Sequence, residues 1–131
     1  MFLDASAIIA ILARESDAAA LAARLGQAVK VYYSPIVAYE TILGLARIGN
    51  IPFAAATEIF EQFVREVGAQ LVPIGGELGK AAIRAFDSFG KGRHAAGLNM
   101  GDCFAYACAD SLEVPLLFKG NDFPLTDISA A

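Results

Sequence analysis

Short apolar or β-branched runs alternate with helix-length segments along this chain, and that alternation limits the fold more than any other feature. Met1–Asp4, Val29–Ser34 (VKVYYS), Gln70–Ile74 and Pro115–Phe118 read as strands, and Leu125–Ile128 as a short fifth. Between them fall segments with helical signals. Ser6 is placed to cap a helix to about Arg14, and Ser16 or Asp17 a second, alanine-rich one ending near Gly26. Ser34-Pro35 opens a helix to about Ile48, closed by Gly49. Pro52 starts another to Val67, and one more covers Glu77–Phe89. The stretch Asp102–Leu112 is apolar almost all round and reads as a buried helix. Strands alternating with helices predict an α/β fold, with a central parallel sheet of four to five strands and helices on both faces. Sites in such sheets form at the carboxyl ends of the strands.

At 131 residues, without repeats or linkers, the whole chain (1–131) is expected to be a single domain. Its apolar fraction of 56% is high and its charged fraction of 18% low, more apolar surface than so short a chain readily hides. That excess predicts a homodimer or partner interface, drawn from Val37–Leu45 and Ile51–Val64. A net charge of −4 argues against a general electrostatic grip on nucleic acid. Charges, glycines and prolines break every apolar run, so no membrane span is expected. The N-terminus lacks a basic region and carries Asp4, which predicts a cytoplasmic protein. Cys103 and Cys108, five residues apart in the apolar helix, face different ways; they read as reduced core residues, neither a disulfide nor part of a zinc set.

Four of the fourteen acids do not fit a solvated surface. Asp4 ends the first strand. Glu40, in YETIL, shares a helical face with Ile36 and Leu43. Asp102 opens the most apolar helix, and Asp122 follows the fourth strand in FKGND. Each has a plain structural explanation. Asp4 would serve as a helix cap, although Ser6 is well placed for that. Glu40 would pair with Arg47, Asp102 would favour the positive helix terminus, and Asp122 would be a turn residue. Together, however, four carboxylates converging on one end of a sheet would repel one another strongly unless a cation sat among them. Carboxylates and water are the ligands of Mg²⁺ or Mn²⁺, which suits phosphodiester hydrolysis. His94 is the only histidine, and no nucleophile elbow, Walker loop or dinucleotide fingerprint is present.

At these residues the sequence resembles the PIN-domain nucleases, and within them the VapC toxins of bacterial toxin–antitoxin pairs. The likeness runs through MFLDASAIIAIL, Tyr39-Glu40, KGRHAAGLNMGDCFAYACA and LLFKGNDFPLTDI, nearly the whole chain. It implies a PIN-like three-layer α/β/α fold and a Mg²⁺-dependent endoribonuclease (Mn²⁺ substituting), restrained by a VapB-type antitoxin. It places the acidic quartet on Asp4, Glu40, Asp102 and Asp122, with Asp4 and Asp102 on the metal. Many relatives carry a further acid where Asn121 stands here, which puts a second metal in doubt. Ser6 matches a family hydroxyl near the first aspartate. With Asn121 and Asp127 it is a candidate for the outer shell.

Lys80–His94 holds four cations against Asp87 alone. Lys80 and Arg84 read as solvated helix residues. Lys91, Arg93 and His94 lie in GKGRHAAGLNMG, four glycines among twelve residues, leading to Asp102. A flexible basic loop there would hold an RNA backbone, or simply be solvated. Two further functions compete with the nuclease. One is a PIN fold that grips RNA or protein with little catalysis, which the presence of all four acids opposes. The other is a phosphotransfer enzyme of receiver or haloacid-dehalogenase type, which needs a second aspartate where Ala5, Ser6 and Ala7 stand.

Overall fold

The computed structural model describes all residues, 1–131. Its elements in chain order are β1 (Phe2–Leu3), α1 (Ala5–Leu12), α2 (Ala18–Leu25), β2 (Tyr32–Tyr33), α3 (Pro35–Gly49) and α4 (Phe53–Glu66). They continue with β3 (Gln70–Leu71), α5 (Gly76–Phe89), α6 (Met100–Ser111), β4 (Leu116–Leu117) and a 3-10 turn at Phe123–Leu125. The four strands form one parallel sheet in the order β3-β2-β1-β4. Phe2 lies beside Tyr32 on one side and Leu116 on the other, and Leu3 beside Leu117. The pairing is brief but tightly bonded: Phe2 N–H donates to the Pro115 carbonyl and Asp4 N–H to that of Leu117, both at 2.9 Å.

The first two crossovers, through α1–α2 and α3–α4, step from β1 towards β3. The third, through α5–α6, returns past β1 to β4. Because parallel crossovers are right-handed, the reversal puts α5 and α6 on the opposite face, giving three layers. Strand order therefore reverses between β1 and β4, and the crevice that opens there at the carboxyl ends lies next to Asp4. Phe2, Leu3, Ile8, Leu98, Leu116 and Leu117 are fully buried around the two strands. No helix is long and apolar enough to cross a membrane.

Three local expectations need correction. Leu125–Ile128 is not a strand: Pro124 cannot donate to a ladder, and the Thr126 hydroxyl bonds the Phe123 carbonyl at 2.7 Å and accepts from Ile128 N–H, closing turns. Only Ala130 bridges to Leu116, so the sheet has four strands. The cap of α1 is Asp4 and not Ser6. Asn50, in the left-handed region at φ 47°, ends α3 one residue beyond Gly49. Both cysteines are buried and free, as expected.

Leu116→Ala would open a cavity between β4 and β1. It is expected to cost about 2–5 kcal/mol, read as a lower urea midpoint at unchanged slope.

Candidate active site

Asp4 leaves β1 and caps α1 in one step. Its Oδ2 accepts the Ser6 N–H at 3.0 Å and the Ser6 hydroxyl, so that oxygen is held by the first turn of the helix. Ser6 Oγ in turn accepts the Lys119 N–H at 3.0 Å, which ties the end of β1 to the loop after β4. Asp4 is only 5% exposed and forms none of the ion pairs in the structure. Burial raises its pKa against the pull of the Ser6 hydrogen bonds.

The other acids arrive from three different elements. Glu40, half-buried on α3, lays its carboxylate against Gly101 in the first turn of α6. Burial, then the charges of Asp4 and Asp102, raise its pKa to about 7. Asp102 is the third residue of α6 and forms a capping box with Asn99: it accepts the Asn99 N–H at 3.0 Å, while its own N–H donates to Asn99 Oδ1 at 2.9 Å. Its pKa rises to about 6, through burial first and the charges of Asp4 and Asp122 besides, against the Asn99 bond. Asp122 is exposed at the crevice mouth, just after Gly120, whose φ of 114° makes the turn. The charges of Asp4 and Asp102 thus act on Glu40, and those of Asp4 and Asp122 on Asp102.

The chain matches the PIN domain family over residues 1–128. It is 42% identical over 130 residues to "VapC ribonuclease Mb2004c" of Mycobacterium bovis, covering 98% of this chain and 91% of that protein. It is 37% identical over 139 residues to "VapC ribonuclease R02377" of Rhizobium meliloti, covering 97% and 98%. The chain belongs to the VapC ribonuclease family of PIN domains. A crystal structure of VapC20 from Mycobacterium tuberculosis, described as a toxin cleaving the sarcin-ricin loop, superposes with a TM-score of 0.78 at 15% identity. It covers 99% of this chain and 97% of that one, and shares the PIN fold.

For a hard divalent ion this PIN domain supplies the right donors. Asp4 is a nearly buried carboxylate that forms no ion pair, and its charge reaches both Glu40 and Asp102. No three side chains yet converge to chelating distance.

The remaining candidates divide. Ser6 contacts Asp4 directly, and Asn121 is exposed beside Asp122. Asp127 does not join the group. It accepts the Tyr106 hydroxyl at 2.6 Å and lines a cavity with Asp110, Glu113 and Pro115, at the opposite end of β4. The basic loop is a folded turn rather than an open arm. Lys91 N–H donates to the Leu98 carbonyl, Leu98 N–H to that of Phe89, and the His94 ring accepts from Ala96 N–H while its edge meets Phe89. Arg93 is committed to Asp87 at 2.5 Å. Of the three basic candidates only Lys91 presents a cation free of an ion pair. Glu40 makes no ion pair with Arg47, although both line an apolar groove of about 650 Å³ with Ile9, Leu43, Ile51 and Phe53. Two positions in contact with the acids or their supports escaped the sequence reading: Gly101, and Lys119, whose N–H bonds Ser6 and whose side chain pairs with Glu15 and with Asp17 at 3.2 Å. A glycine in the first turn of a helix was the available signal for one. For the other it was a lysine three residues before Asp122.

Raised carboxylate pKa values make the metal-free fold pH-sensitive. Glu40 and Asp102 move from ordinary values of 4.5 and 3.8 to about 7 and about 6, so in that window the folded chain binds more protons than the unfolded one. Their favourable contribution is complete below the unfolded values and is lost as pH rises through the folded ones. Thermal melts in chelator should therefore show stability falling towards pH 7, with a flatter profile for Asp102→Asn. A flat wild-type profile would mean that the charges do not oppose folding.

Proposed function

We propose that this VapC-family chain is a Mg²⁺- or Mn²⁺-dependent endoribonuclease, the toxin of a toxin–antitoxin pair. The observation that carries the reading is Asp4, nearly buried and in no ion pair, within charge range of Glu40 and Asp102 in the crevice where the strand order reverses. Asp4 and Asp102 would hold the ion, each with one oxygen anchored by hydrogen bonds and the other free to ligate. When bound, the metal supplies an acidified water and charge stabilisation at a phosphoryl oxygen. The chain does the rest. Ser6 orients Asp4, and the capping box orients Asp102. Glu40 would accept a proton at its carboxylate from a water aligned with the phosphodiester. Asp122, exposed, adds its charge beside Asp102. Lys91 remains the candidate contact to the RNA backbone from the loop.

The competing reading, a PIN fold that binds RNA or protein with little catalysis, draws on the open spacing of the acids and on the amide at Asn121. Substitution separates the two. Asp4→Asn and Asp102→Asn should each abolish RNA cleavage while circular dichroism stays native, since asparagine keeps the size and the cap. Mg²⁺ should raise the melting temperature of the wild type and leave the double mutant unmoved. Near wild-type cleavage by either single mutant would remove the assignment.

The antitoxin reading rests on the apolar groove that Glu40 helps to line. Tyr39 and Phe53, 63% and 65% exposed, stand at its rim. An apolar segment of the antitoxin would fill it and lead an arginine or lysine onto Glu40, Asp4 and Asp102. Changing that basic residue to alanine should leave the complex intact and restore cleavage; full suppression would show that cover alone inhibits. Light scattering should show the free chain as a homodimer, and a monomer at micromolar concentration would refute that.

A further inference from the structure

Gly101 occupies the second position of α6, and its backbone does not ask for glycine. Positive φ angles occur at Gly68, Gly92, Gly97 and Gly120, but not here. Glycine is a poorer helix former than alanine, so its presence needs another cause. The space beside it identifies that cause. A Cβ at this position would lie 2.5 Å from Glu40 Cδ, 2.7 Å from Oε2 and closer still to Oε1, and its three nearest atoms all belong to that one carboxylate. By contrast, a Cβ at Gly44 would meet only the tip of the Ile9 side chain, at 2.6 Å. At Gly101 the missing methyl group is a slot filled by the head of Glu40.

We propose that Gly101 is a positioning residue: its bare α-carbon lets Glu40 reach the first turn of α6, where its carboxylate shares the charge field of Asp4 and Asp102. The proposal rests on the metal-site reading above. A methyl group there would not break the helix. It would swing the end of a flexible side chain out of the slot and leave the site one carboxylate short. Gly101 thus acts on metal binding only through Glu40.

Titration calorimetry with Mn²⁺ alone tests this on five proteins: wild type, Gly101→Ala, Glu40→Ala, the double mutant of the two, and Asp102→Asn. Gly101→Ala is expected to weaken Mn²⁺ binding by about tenfold, with the metal-free melting temperature unchanged or higher. In the Glu40→Ala background the same substitution should change affinity by less than about twofold. Equal losses in both backgrounds would overturn the proposal, because the glycine would then serve the backbone. So would an unchanged affinity in Gly101→Ala alongside a loss in Asp102→Asn. Wild-type affinity in Asp102→Asn would instead overturn the underlying metal site. If Gly101→Ala fails to fold while the double mutant folds, the slot belongs to Glu40; if neither folds, the proposal is wrong.

Discussion

Repulsion between carboxylates that the fold forces together is the constraint on which this molecule turns. Asp4 cannot leave: it is the last residue before α1, it caps that helix, and its N–H completes the β1–β4 pairing. Asp102 cannot leave either, because the start of α6 is closed by its capping box with Asn99. Glu40 is delivered by α3 into a slot beside Gly101. Each acid is thus fixed by a local structural duty, and the sum of those duties is a concentration of negative charge that the folded chain alone does not neutralise. Lys119, whose N–H bonds Ser6, has its ammonium spent on Glu15 and Asp17.

This explains why structural and functional readings of the same residue coexist here. A helix cap needs one carboxylate oxygen and leaves the second available. Asp4 and Asp102 both use that division, and the hydrogen bonds that anchor them also aim them. The cost of the arrangement appears as raised proton affinity in Glu40 and Asp102.

The architecture was legible in the sequence because alternating strands and helices admit few topologies, and the acids were legible because they broke an otherwise apolar pattern. What stayed hidden depended on contacts between distant segments. Nothing local distinguishes Ser6 from Asp4 as the cap, because both can bond the first turn; the observed geometry puts both bonds on Asp4. Leu125–Ile128 has strand-like residues, yet Pro124 and the Thr126 side chain convert the approach to it into turns. Asp127 sits five residues after Asp122 but serves Tyr106 at the other end of the strand. The glycine-rich loop looked open in composition, whereas Leu98, His94 and the Arg93–Asp87 pair fold it shut. Gly101 was invisible because its partner, Glu40, lies far back in the chain.

The strand order has a consequence for synthesis. β1 leaves the ribosome first, while β4, which must lie beside it, follows more than a hundred residues later, with Lys119 and Asp122 directly behind. The contacts that complete the crevice are therefore among the longest-range in the fold, and a nascent chain acquires them last. Until β4 docks, Asp4 has neither its neighbour in the sheet nor the amide that steadies Ser6. A chain that stalls or is cut before that point holds the first three acids but no assembled crevice, so the topology itself makes the site the last part of the molecule to form.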